Sequence, residues 1–276
     1  MGRYALVRYS LARFAKRLWR GDFRGPPVEG RHSLGARGRH RSRRTGSFLA
    51  RLRCGVRLLR SLLRRVAILA VALYLGAVLG LIYLRFLPPL LTMVQLQRFV
   101  EAVVGPAPVR HRASWVALGS LPAHVPRAVV AAEDARFYQH RGFDWTEVKH
   151  AVEDNMDGPR RRGASTITQQ LVKNLYLTTH RSVLRKGAEI ALTPVAELIL
   201  PKARILELYV NVVEWGPGVY GIDAAARHHY RTPARRLTRD QAARLAAILP
   251  APRTRRPGRM GGYASIIQGR MAQMGW

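Results

Sequence analysis

Cysteine is all but missing from this 276-residue chain, with Cys54 the single example. That excludes a disulfide framework and a cysteine-based metal site. Acidic residues are scarce as well, 16 against 47 Lys and Arg, which leaves a formal net charge of +31. Such an imbalance favours anionic partners. No internal repeat is found. Beyond Pro126, runs that alternate apolar and polar residues are few, so the sequence reads as mainly α rather than sheet-built.

The charge is unevenly placed. Residues 1–65 carry 19 Lys and Arg against only Asp22 and Glu29, a net of +17. The stretch 21–47 is rich in Gly, Ser and Arg without a long apolar period, which predicts disorder. It fits either a nucleic-acid-binding arm or the cytoplasmic tail of a membrane protein. The next stretch favours the tail. Residues 66–84, VAILAVALYLGAVLGLIYL, hold no charge between Arg65 and Arg85. About 20 apolar residues match the hydrocarbon core of a bilayer. A cleaved signal peptide would begin nearer the N-terminus and have a shorter apolar region. Arginines are denser before the span than after it, which predicts a cytoplasmic N-terminus and a C-terminal region on the far side. Pro88 and Pro89 end the span. LLTMVQLQRFV then reads either as an amphipathic segment along the membrane or as a connection.

The stretch 131–144, AAEDARFYQHRGFD, carries the first candidate chemistry. A helix entered at Pro126 and ending near His140 puts Glu133 on one stripe with Val129, Val130 and Phe137. A carboxylate on an apolar stripe is costly unless paired or protonated. Burial raises its pKa, which also suits a general acid or base. The plainer reading is that Glu133 reaches solvent or caps a loop, with Asp134 on the wet face.

Residues 163–174, GASTITQQLVKN, follow a basic loop, DGPRRRG. Thr166 and Gln169 form a capping box that predicts a helix start. Ser165, Thr166, Thr168, Gln169 and Gln170 are more polar groups than capping needs. They suit a hydroxyl-rich ligand, with the helix N-terminus holding an anion. In HRSVLRKGAE, residues 180–189, Arg181, Arg185 and Glu189 recur at a spacing of four. This reads as a solvated ion-pair ladder, or as a cationic cleft for phosphates with a second carboxylate inside it. Pro194 should kink that helix. PKARILELYVN, residues 201–211, is an amphipathic helix with Glu207 and Asn211 on its polar side. EWGPGVYGIDAAA, residues 214–226, is a glycine-rich turn into a small-residue helix. Thr238 and Gln241 open another helix, expected to run through Leu249.

Five of these segments in this order, EDARFYQHRGFD, GASTITQQLVKN, RKGAE, KARILELYVN and WGPGVYGIDAAA, resemble the monofunctional biosynthetic peptidoglycan transglycosylases. Ala164 stands where many relatives have a second glycine, and Gly187 interrupts the arginine-lysine helix. The resemblance implies a mainly α, lysozyme-like domain over residues 121–252 with a small membrane-facing jaw. Ahead of it lie a tail (1–65), a transmembrane helix (66–87) and a membrane-proximal linker (88–120). A basic tail (253–276) follows it.

It also implies polymerisation of lipid II onto a glycan carried by undecaprenyl diphosphate. By position, Glu133 would be the general base, and Glu189 would support the diphosphate, directly or through a divalent cation such as Mg or Mn. Ser165, Gln169, Lys173, Arg181 and Arg185 would line the donor site, and Asp134 would assist Glu133. No cofactor is needed for the chemistry. The implied partners are lipid II, the growing chain, an anionic inner membrane and other cell-wall synthesis proteins rather than nucleic acid. The chain holds no Ser-x-x-Lys, so no transpeptidase activity is expected. A lytic transglycosylase could share the fold and one glutamate, but its substrate lacks the diphosphate that would call for Lys173, Arg181, Arg185 and Lys186. A non-catalytic nucleic-acid binder would leave the five motifs unexplained.

Overall fold

The structure is a computed structural model that describes residues 42–106, 108, 110–157 and 163–276. The tail before residue 42 and most of the basic loop at 157–163 lie outside the described residues. Contacts divide the chain into residues 1–61 and 62–276. The second unit holds the elements described below, apart from the first part of the leading helix.

That helix, α1, spans Ser42–Leu84. It starts well before the apolar run, so residues 42–47, the described end of the stretch expected to be disordered, are helical; residues 21–41 of that stretch lie outside the described residues. Arginine is a good helix former, and the apolar run that follows can extend the helix backwards. Its stretch Gly55–Leu84 is the one segment among the described residues long and apolar enough to cross a membrane. At 1.5 Å per residue this is about 45 Å, more than the roughly 30 Å of a hydrocarbon core. The last turns belong to the protein interior. Leu81 and Leu84 are buried in the core. A Cβ on Gly80 would lie 2.8 Å from the Tyr176 hydroxyl, so a larger residue there would have to push the Tyr176 side chain aside. Arg204 donates to the carbonyls of Leu84 and Leu87 (both 2.8 Å), and Arg85 donates to Ile199 O (2.7 Å). These bonds satisfy carbonyls that a helix end leaves open.

The expected linker contains helix α2 (Met93–Val104), opened by a capping box of Thr92 and Gln95. Val94 and Gln95 are buried, while Leu96, Phe99, Val100, Val103 and Val104 are exposed together with Leu90 and Leu91. Strand β1 (Arg112–Ala113) follows, then α3 (His124–Glu133), α4 (Trp145–Asp157), α5 (Ile167–Tyr176), α6 (Val183–Ile199) and α7 (Lys202–Val212). Strands β2 (Glu214–Gly216) and β3 (Val219–Tyr220) lead to α8 (Ile222–Tyr230), α9 (Arg239–Ala246) and α10 (Gly261–Gln273). The small sheet has the order β1-β3-β2, with β1 parallel and β2 antiparallel to β3. Glu207 and Asn211 staple the segment before α3: Glu207 accepts from Leu118 N, and Asn211 bonds both N–H and C=O of Val116.

Helix α5 packs against α6 and α7, and α3 packs against α9 and α10. Between them Phe137, Ile167, Leu171, Ile205, Leu208, Tyr209 and Trp215 are fully buried. Three expectations need correction. Helix α3 stops at Glu133, not near His140, so Phe137 reaches the core from a turn. The expected basic tail folds into α10, whose Ala264, Ile267 and Met271 are buried and whose Arg270 donates to Ala131 O on α3. Spacings of three and four make an apolar stripe there despite the Arg- and Gly-rich composition. Helix α9 ends at Ala246, and residues through Leu249 continue as turns.

Candidate active site

The site forms where the end of α3 meets the start of α5. Thr166 caps α5: its Oγ1 accepts from Gln169 N (3.3 Å), and its own N–H donates to Gln169 Oε1 (3.0 Å). The same hydroxyl donates to Gly142 O (2.7 Å). Gly142 sits at φ +90, and a Cβ there would meet Thr193 Cγ2 at 2.7 Å, so only glycine fits the turn. Asp134, the residue after α3, is buried. Its Oδ2 accepts from Ile167 N (2.9 Å), and its Oδ1 bonds His140 Nε2 (2.9 Å). Asp144 in turn caps α4 through the amides of Thr146 and Glu147, both 3.1 Å.

These bonds fix two expectations differently. The α5 N-terminus was expected to hold a substrate anion, but the anion it holds is Asp134, which satisfies its first amide and its dipole. Gln169 was expected to line the donor site, but its side-chain oxygen closes the capping box and the residue is buried. Asp134, His140 and Asp144 also bring three ligand-type atoms within 4.8 Å of one another. Asp134 and Asp144 cap α5 and α4 while His140 bonds Asp134, which ties α3, α4 and α5 together. His140 Nδ1 and Asp144 Oδ2 are buried without a partner among the described residues.

Glu133, half-buried at the last position of α3, faces the next turn of α5. Its Oε2 accepts from Gln170 Nε2 (2.9 Å). Gln170 also donates to Ser165 O (3.3 Å) and accepts from the hydroxyl of fully buried Tyr209 (2.9 Å). Burial pushes the Glu133 carboxyl above the ordinary carboxylate range. The Gln170 bond, Lys173 and Arg255 oppose that shift, while Asp134 adds to it. Lys173 lies one turn further along α5 and is held below the ordinary lysine range, first by burial. Glu189 and Glu133 counteract the shift, and Arg185 and Lys186 reinforce it.

Glu189, buried on α6, accepts from Arg185 Nη1 (2.6 Å) and from Lys186 Nζ (2.5 Å). Lys173 therefore feels both glutamates and two further cations. The Arg185 Nε is buried and has no partner among the described residues. Arg181 lies before α6, not on its face, because the helix starts at Val183. It is exposed and makes no ion pair among the described residues. Ser165 is exposed just ahead of the α5 cap. The structure thus gathers Glu133, Lys173, Arg185 and Glu189 into one electrostatically coupled group. Ser165 stands at the mouth of α5 and Arg181 ahead of α6.

Three residues around Glu133 were not singled out for roles in the sequence. Gln170 was visible only as part of a polar run. Tyr209 read as one more aromatic on an amphipathic helix. Arg255 was assigned to the tail, although its charge acts on Glu133 and its Nη1 is held by Ala247 O (2.8 Å).

Residues 101–273 match the family model described as Transglycosylase. Proteins named "Biosynthetic peptidoglycan transglycosylase" are similar over most of their length. The one from Ectopseudomonas mendocina is 43% identical over 222 residues, covering 79% of this chain and 92% of its own. The one from Chromohalobacter salexigens is 44% identical over 203 residues, 72% of this chain and 87% of its own. The one from Pseudomonas aeruginosa is 41% identical over 222 residues, 79% of this chain and 96% of its own.

Proposed function

The chain belongs to the transglycosylase family and is a peptidoglycan glycosyltransferase of cell-wall synthesis, and we propose that it polymerises lipid II with Glu133 as general base. The acceptor is a sugar hydroxyl, a weak nucleophile that needs a base within hydrogen-bond reach as it attacks. Its oxygen forms a bond to the donor's anomeric carbon while the bond from that carbon to the diphosphate oxygen breaks. The proton passes to Glu133, and the electron pair leaves with undecaprenyl diphosphate. Direct displacement of an α-linked diphosphate inverts the centre and gives a β-linked chain.

The leaving group develops negative charge, which fixed cations stabilise. In this reading Lys173, Arg181 and Arg185 receive the diphosphate, with arginine offering paired donors matched to phosphate oxygens. Ser165 adds a hydroxyl beside them. Glu189 holds Arg185 and Lys186 in place. A divalent cation does not fit Glu189 in this arrangement, because each of its carboxylate oxygens already accepts from a cation and Lys173 adds like charge. Asp134 acts by locking the α3–α5 corner, and Gln169 acts by capping α5.

The observation that carries this reading is a half-buried carboxylate of raised pKa that is electrostatically coupled to Lys173, which is itself coupled to Arg185, Lys186 and Glu189. Helix α1 anchors the chain. In this reading it crosses the inner membrane once, with residues before it in the cytoplasm and the catalytic body in the periplasm. The test supplies lipid II to the full chain and follows polymer and released undecaprenyl diphosphate. Lys173→Ala and Arg181→Ala should each lower the rate, Lys173→Ala by about a hundredfold, the scale of one lost transition-state donor. Near-wild-type rates in both folded variants would return these residues to ordinary surface charge.

A further inference from the structure

We propose that Tyr209 is a positioning residue that aims Glu133 through the Gln170 carboxamide, an inference that rests on Glu133 being the base. Tyr209 lies on α7, fully buried, with its hydroxyl 2.9 Å from Gln170 Oε1. The other end of the same amide donates to Glu133 Oε2 and to Ser165 O. Every polar atom of the amide is thus assigned. Its two N–H hydrogens have two acceptors, and its oxygen has one donor. Rotating the amide by half a turn would set its oxygen against the Glu133 carboxylate, two acceptors facing each other.

The hydroxyl is what forbids that rotation. Burial, with Glu133 and Asp134 nearby, holds the Tyr209 phenol well above its ordinary range, so it stays a donor throughout the working pH range. Asn174 fixes the Gln170 backbone from the next turn by donating to its carbonyl (2.8 Å). Only the side-chain orientation is left for Tyr209 to set. With Oε2 held by Gln170, Glu133 Oε1 is the oxygen left to take the acceptor's proton. The relay runs from core to site, and Tyr209 never touches substrate.

The other charges facing Glu133 are Lys173 on α5, Arg255 after α9 and Asp134 at the end of α3. Tyr209→Phe leaves all three in place and removes one oxygen. Freed from its donor, the amide donates less well to Glu133, and the carboxylate loses stabilisation. The Glu133 pKa then rises further, so the acid limb of the kcat/KM profile moves to higher pH.

The experiment measures initial rates of lipid II polymerisation against pH for the full chain and for Tyr209→Phe, Gln170→Ala, the double variant and Glu133→Gln. The relay predicts a roughly tenfold lower kcat for Tyr209→Phe, the scale of one lost buried hydrogen bond, with KM unchanged. It also predicts the upward shift of the acid limb. In the Gln170→Ala background the Tyr209→Phe effect should vanish, since the residue acts only through that amide. An unmoved acid limb, or the same loss in both backgrounds, would overturn the relay and leave Tyr209 a packing residue. Substantial activity in folded Glu133→Gln would instead overturn the base reading on which the relay stands.

Discussion

Glu133 and Lys173 are both pushed toward neutrality, the carboxyl upward and the ammonium downward, with burial the largest cause for each. The base must be ionised to work, and a raised pKa means it is protonated at higher pH than an ordinary carboxyl. Activity should therefore fall on the acid side at a pH above the usual Glu range near 4.3. The cation must be protonated to hold a diphosphate, and a lowered pKa means it neutralises early. Activity should fall on the alkaline side below the usual Lys range near 10.4. Lys173→Arg, whose guanidinium stays charged, should extend activity to higher pH. Rate profiles of the two proteins check this, and superimposable alkaline limbs would remove Lys173 from the donor site. At this scale the sequence was informative about charge and poor about orientation. Glu133, Lys173, Arg185 and Glu189 were legible from spacing and motif. The exchange of Gln169 for Gln170 was legible in principle, since a capping box read at Thr166 already commits the Gln169 side chain. Tyr209 was not, because nothing in a helical pattern separates a core aromatic from one whose hydroxyl has a task.

Helices opened by a capping box were read well at their starts, whereas α1, α3 and α6 begin away from where the sequence put them, and ends were read poorly. The capping boxes at Thr166 and Thr238 both open helices, and Pro201 precedes one. The end of α3 was missed because the apolar period runs on to Phe137, while Asp134 leaves the helix to serve α5. Helix α10 was missed because arginine, glycine and proline mask the apolar stripe of Ala264, Ile267 and Met271. The corner between α3 and α5 hangs on Thr166, whose hydroxyl both caps α5 and holds Gly142 O. Thr166→Ala should lower stability by about 1–2 kcal/mol, the upper range of a lost cap. For a body of this size that is a melting shift of very roughly 2–8 °C. Thermal unfolding of the detergent-solubilised protein measures it, and an unchanged midpoint would show that the capping box is dispensable.

At the scale of the whole molecule, the membrane span was the clearest signal in the sequence, since an uncharged run of that length has few soluble uses. Its attachment to the body was invisible, because Gly80 against Tyr176 and Arg204 on the Leu84 and Leu87 carbonyls join residues far apart in sequence. The topology predicts that a C-terminal reporter active only outside the cytoplasm gives signal. Silence there, with activity from a cytoplasmic reporter, would reverse the orientation. The account as a whole depends on Glu133 taking the acceptor's proton, and Glu133→Gln keeps its shape while removing the base. The deciding measurement is the initial rate of glycan synthesis from lipid II by the full chain and by Glu133→Gln, with circular dichroism confirming equal folding. The account predicts a loss of at least about a hundredfold, the lower range of general-base contributions. A folded Glu133→Gln enzyme that keeps roughly half its rate would contradict it.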